Sequence, residues 1–218
     1  MSNLQEVKVH GHIQNVVANP SPLGLFGLAI VTLVASSAKL GFTQGTAFII
    51  PWAIFLGACA QLTAGLLDYK HNNTFGATAF CAYGFFWLGM ALSWTVSNWW
   101  ANGIIIDPHQ MGYAFLGYFI FTLYMTIGAM GTNKVLFIIF FLIDLLFLGL
   151  FMSTLGWGGH LWHQLAAWSE LGISIMAFYG SAATVLNSHY GITVLPVGSP
   201  FGSLARAAES VQSRNIAS

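Results

Sequence analysis

Charge is what this sequence has least of. Asp, Glu, Lys and Arg make up 6% of its 218 residues, where an ordinary soluble domain carries about 25%. So few charges cannot clothe a water-soluble fold of this size. Six basic residues spread along the chain also cannot build a surface that tracks phosphates, which excludes nucleic acid as a partner. Cysteine is nearly as scarce. Cys59 and Cys81 both fall inside apolar runs, where they read as small buried hydrophobes rather than as a disulfide or metal pair. Residues 1–18 hold no apolar stretch and carry Glu6, Lys8, His10 and His12, so no removable signal peptide is expected. Gly-rich phosphate loops, Ser-His-Asp sets and paired carboxylates in polar segments are missing too, and neither an enzyme nor a cofactor is expected.

What is present is apolar. Hydrophobic residues form 56% of the chain and aromatics 15%. Runs long enough to cross a bilayer, roughly 20 residues each, lie at 22–38, 47–67, 76–97, 112–130, 134–153 and 164–186. They predict an all-α membrane protein of six transmembrane helices in one bundle. The uninterrupted runs exclude a β-barrel, whose strands alternate over about ten residues. Trp52, Trp99, Trp100, Trp157 and Trp162 fall near span ends, where an aromatic belt sits. Lys8, Lys70, Lys134, Arg206 and Arg214 fall on one side and Lys39 alone on the other. That asymmetry predicts that both termini are cytoplasmic. Residues 1–21 are then an N-terminal segment, 22–198 the membrane domain and 199–218 a polar tail. Small residues four apart, Ala53 with Gly57, Ala60 with Ala64 and Gly180 with Thr184, let helix backbones approach closely in lipid. They fit packing within one bundle first, and an oligomer interface as the alternative for some of these faces.

The first span opens on Asn19-Pro20-Ser21-Pro22, followed by Leu23-Gly24-Leu25-Phe26-Gly27-Leu28. Ser21 is expected as the N-cap and Pro22 as the first helical residue. Gly24 and Gly27 leave one face open. Free N–H groups and partial positive charge at such a start hold a carboxylate without Lys or Arg. A plain helix cap is the simpler reading of the same residues. Spans two and three add Gln61, Thr63, Thr74, Thr78 and Tyr83. Each needs a neighbour, a water or a substrate at membrane depth. Hydrogen bonds between helices account for any one of them; together with Asn19 they would line a neutral, weakly polar path.

Asp144 and Glu170 are the two carboxylates inside the last two spans. Asp144 lies ten residues past Lys134, about 15 Å along a helix, near the bilayer midplane. An ionisable residue there is a functional candidate by default. A transferable proton on Asp144, with Glu170 close in depth, is one reading; acids hydrogen-bonded between helices are the other. His160 and His163, three apart, fit a metal on one helical face. With no Cys or carboxylate beside them, they read better as a pair at the membrane interface, and no metal is expected.

Asn19-Pro20-Ser21-Pro22-Leu23-Gly24-Leu25 resembles the N-P-A-P-L-G-L signature of the acetate uptake transporter (succinate–acetate permease) family, with Ser21 in place of Ala. Gln61 to Lys70, Asn73-Thr74-Phe75-Gly76, Thr78-Ala79-Phe80 and Tyr83-Gly84-Phe85-Phe86-Trp87 are similar to that family's stretch through spans two and three. So are Val185-Leu186-Asn187 and Thr193 to Gly198. The resemblance implies six helices per protomer, a fold like that of proton-gated urea channels, and a homo-hexamer with one pathway in each protomer. It implies acetate and related small carboxylates as substrates, succinate in some members, carried with protons or through a channel-like path across the plasma membrane. Asn19, Pro20, Ser21, Pro22, Gly24, Leu25, Gln61 and Thr78 would bind or line that path. Leu28, Tyr83 and Ile143 would form its constriction, Leu28 standing where relatives carry Phe. The competing readings are a urea or amide channel and a membrane anchor or sensor subunit without transport.

Overall fold

The computed structural model describes residues 18–100 and 102–201. Lys8, Arg206, Arg214 and most of the polar tail lie outside the described residues. Six helices are long and apolar enough to cross a membrane: α1 Ser21–Lys39, α2 Ile49–Lys70, α3 Thr74–Trp99, α4 Pro108–Ala129, α5 Lys134–Thr154 and α6 His160–Tyr190. The described residues contain no strand. Each expected span has its helix. The largest difference is α6, which runs further at both ends than 164–186.

Asparagine punctuates one end of the bundle. The Asn73 side chain accepts from Gly76 N at 3.0 Å to start α3, and Asn133 accepts from Leu136 N at 3.0 Å to start α5. At α1 the expected cap is corrected. The helix begins at Ser21 with Pro20 as the flanking residue, Pro22 stands within the first turn, and Ser21 caps nothing. Asn19 instead accepts from Ser21 N at 2.9 Å. Its amide satisfies the first free N–H, so the serine hydroxyl is not needed there.

Small residues set the packing distances. A side chain on Gly27 would strike the Leu56 main-chain oxygen, and one on Gly57 would strike Trp87 and Val31. Ala53, Gly57, Ala60 and Ala64 are buried, and Gly180 packs on Leu25 and Val135. These positions therefore serve the inside of the bundle. Between Ala53 and Ala60 α2 is π-helical, a widening frequent at functional sites, and buried Gln61 follows it directly.

α6 holds α1 along its whole length. Ser181 donates to Pro22 O (2.8 Å), Ser174 to Ala29 O (2.8 Å), and His163 Nε2 to Lys39 O (3.1 Å). Lys39 Nζ meets Glu170 at 2.8 Å. α5 and α6 run antiparallel, with Gly149 against Ala166 and Gly172 against Leu142. That register brings Asp144 level with Glu170. The two acids nevertheless face different partners, Asp144 receiving a bond from Thr126 of α4 and Glu170 the Lys39 amine.

Candidate functional site

A cavity of about 360 Å³ opens at the end of the bundle where α1, α3 and α5 begin. Asn19, Ser21, Asn73, Thr132, Asn133 and Thr184 form its polar rim, and Leu25, Leu28, Ala79, Phe80, Tyr83, Phe140 and Ile143 its apolar depth. No Asp, Glu, Lys or Arg lines it among the described residues. Three helix N-termini thus meet at one mouth, each contributing partial positive charge. Lys134 stands at the start of α5 with its amine 5.9 Å from the Phe201 ring.

Gln61 is fully buried and reaches the cavity wall, and among the described residues neither its Oε1 nor its Nε2 finds a partner. A buried amide is costly to leave unpaired. On the cavity wall, that amide is placed to bond a water or a solute.

Leu28, Tyr83 and Ile143 come together at the inner wall, each under 7% exposed. Tyr83 sits in an aromatic nest. Phe121 is 5.5 Å away edge-on and Phe140 6.1 Å away, while Phe147 stacks at 6.4 Å and Tyr118 at 6.3 Å. Tyr118, Phe121 and Phe147 do not line the cavity, so this packing bounds the ring on the side away from it. The cavity thus has a polar rim, an unpaired amide on its wall and an apolar inner end.

The cavity gathers Asn19, Ser21, Leu25, Gln61, Leu28, Tyr83 and Ile143 but not the other proposed lining residues. Thr78 is corrected: it is half-buried and off the wall, because Ala79 and Tyr83 occupy the inward stripe of α3. Pro20 and Pro22 shape the helix start without lining. Gly24 lets the Phe80 ring lie directly against α1, which places that wall. Thr63 and Thr74 face outward; Thr63 satisfies its hydroxyl on Cys59 O at 2.8 Å.

Asp144 lies off the cavity, one residue past Ile143. Its Oδ2 accepts from Thr126 at 2.6 Å, while its buried Oδ1 has no partner among the described residues. Glu170 belongs to the opposite end of α1 through Lys39. The His160 and His163 rings stand 6.3 Å apart; His163 is engaged with Lys39 O and His160 with Gln164 at 3.3 Å.

Sequence reasoning missed Asn73, Asn133 and Val197 as lining residues. The signal for the asparagines was present: an Asn stands just before each of α1, α3 and α5. Val197 follows from the chain beyond α6, which folds back over the mouth. Asn187 accepts from Val194 N and Leu195 N, Tyr179 donates to Pro196 O, and Val135 N donates to Val197 O.

The chain is 36% identical over 187 residues to the succinate-acetate/proton symporter SatP of Escherichia coli (strain K12), covering 84% of this chain and 96% of that protein. It is 33% identical over 141 residues to acetate permease A of Emericella nidulans, covering 60% of this chain and 47% of the relative. Its fold matches the solved structure of the bacterial acetate channel SatP with a TM-score of 0.79 and 34% identity, over 84% of this chain and 100% of the other. The model of the GPR1/FUN34/yaaH family matches residues 3–199. The family match over nearly the whole chain, with the sequence identity and fold shared with SatP, makes this protein a member of the GPR1/FUN34/yaaH family.

Proposed function

We propose that this protein carries acetate and related small carboxylates, succinate among them, across the plasma membrane, which is the inner membrane in a bacterium. The observation that carries this reading is the single cavity joining three helix starts and Gln61 to the Leu28–Tyr83–Ile143 neck. The similar proteins named above, a succinate-acetate/proton symporter, an acetate permease and an acetate channel, support it. It acts as a transporter, not as an enzyme.

In this mechanism the carboxylate enters between Asn19, Asn73 and Asn133, drawn by the helix ends rather than by a fixed cation. Binding there stays weak enough for release. Gln61 then takes up hydrogen bonds that water gave. At the neck the solute loses its remaining hydration, which costs a bare carboxylate far more than the neutral acid. With an acid pKa near 4.3, the Glu model value, the species that passes is the protonated one: the carboxylate held at Gln61 takes up a proton from water in the mouth before the neck and gives it back to water beyond. Asp144, beside Ile143 with one oxygen unpaired, is the protein's own candidate for handing that proton on. The mouth faces the cytoplasm, in keeping with the distribution of basic residues. The protomers assemble as a hexamer, supported by the family resemblance and by the exposed apolar face of α4, where Tyr113, Ile120, Leu123, Tyr124 and Ile127 point outward.

Uptake into proteoliposomes, with and without an imposed pH gradient, is the test. Acetate flux that rises on the acid side is expected. Urea flux in its place would move the protein to the urea and amide channels, and flux of neither would leave a membrane anchor.

A further inference from the structure

Tyr83 lines the neck with its ring and gives its hydroxyl elsewhere. Its oxygen lies 2.9 Å from Thr122 Oγ1 on α4. Thr122 in turn donates to Tyr118 O at 2.7 Å. A hydroxyl has one hydrogen to give, so Thr122 spends its own on Tyr118 O and must accept from Tyr83. One turn earlier on α4, Tyr118 donates back to Ala82 O of α3 at 2.9 Å. Residues 82 and 83 of α3 are thereby clamped to residues 118 and 122 of α4 from both directions.

Around the clamp these helices meet through aromatic rings, Tyr83 on Phe121 and Phe86 on Tyr118 and Phe115. Towards the far end of the bundle α3 and α4 part around a groove, with Phe86, Gly89 and Met90 on one wall and Ile106, Met111 and Phe115 on the other. Among the described residues α4 supplies nothing to the cavity wall. Thr122 is fully buried behind Tyr83 and touches the pathway only through it.

We propose that Thr122 is a positioning residue that holds the Tyr83 ring against the neck wall and so sets the largest carboxylate that passes. This rests on the reading of Leu28, Tyr83 and Ile143 as the neck. Without the Thr122 acceptor, the Tyr83 O–H is stranded, and with Tyr118, Phe121 and Phe147 packed on the ring away from the cavity the side left open to it is the cavity. The ring then turns into the pathway and narrows it.

The test is flux of acetate and butyrate into proteoliposomes, normalised to folded protein. Thr122→Val, of nearly the same shape, is expected to lower acetate flux about tenfold, the effect of one stranded buried hydroxyl, and butyrate flux further, so that the butyrate-to-acetate ratio falls. Thr122→Ser keeps the acceptor and restores the ratio. In a Tyr83→Phe background no hydroxyl remains to strand, and Thr122→Val should change neither flux nor ratio relative to Tyr83→Phe alone. An equal loss in both backgrounds, or a ratio unmoved by Thr122→Val, overturns the proposal. So does failure of both Thr122→Val and the Tyr83→Phe/Thr122→Val double variant to fold, since Thr122 would then be needed for the bundle itself. Tyr83→Ala separates this from the neck reading. If Tyr83→Ala raises the ratio while Thr122→Val leaves it alone, only the Thr122 role is lost. If Tyr83→Ala leaves it alone, the neck lies elsewhere.

Discussion

Gln61 is a buried amide placed to bond a solute or a water. Its amide is fully enclosed yet meets no partner among the described residues, a poor bargain for folding. Gln61→Leu, similar in volume, should therefore leave thermal stability unchanged or slightly higher while acetate flux below saturation falls about tenfold. That fall is the loss of one hydrogen bond to a charged group, about 1.5 kcal/mol. Melting curves and uptake on the same detergent-purified sample check both halves. Asn19→Ala makes the complementary point at the mouth. It frees the Ser21 N–H and removes one polar group from the rim, so flux should drop with assembly intact. Undiminished flux in that variant would reduce Asn19 to a helix cap.

At the scale of the helices, α1 is the fixed post of the bundle. It carries Leu28, and α6 grips it at Pro22, Ala29 and Lys39. The Lys39–Glu170 pair is asymmetric, the Lys39 side chain 20% exposed and that of Glu170 2%. Lys39 can turn to water when its partner is lost, whereas Glu170 cannot. Lys39→Ala should thus destabilise the bundle by about 3 kcal/mol, as breaking a buried pair does, and Glu170→Gln by clearly less. Thermal unfolding of the two variants in detergent decides the order. The six helices were legible because hydropathy reports burial in lipid directly. The facing of single residues was less so. Thr78 and Ala79 are adjacent on α3, and a hydropathy profile does not tell which one turns inward. The π-helical stretch Ala53–Ala60 left no sequence mark, yet it alters the rotation of everything after it, Gln61 included. Asn73 and Asn133 were legible as helix starts, but their meeting at one mouth depends on which helices are neighbours. Asp144 and Glu170 matched in depth as the span lengths suggested; their partners Thr126 and Lys39 come from helices whose rotation the spans do not encode.

For the whole molecule, the proposed passage from a polar mouth to a Leu28–Tyr83–Ile143 neck sets the expected response of transport to pH. Only the neutral acid crosses the neck cheaply, so acetate flux should fall as pH rises above the acid pKa, about tenfold per unit. Asp144→Asn separates the protein's share of that dependence from the substrate's. It keeps the Thr126 bond within reach but cannot release a proton. A pH series shallower than that of the wild type is expected, and an identical series would assign Asp144 to structure, leaving proton coupling to the substrate alone. The central claim, that this one cavity is the route, is tested most directly by Ala79→Cys in a background with Cys59 and Cys81 replaced by Ser. Ala79 lies on the cavity wall one turn from Tyr83, where a small thiol reagent would plug the path just before the neck. The account predicts that labelling abolishes acetate flux and that saturating acetate slows the labelling; fully labelled protein that still transports acetate at the unlabelled rate would contradict it.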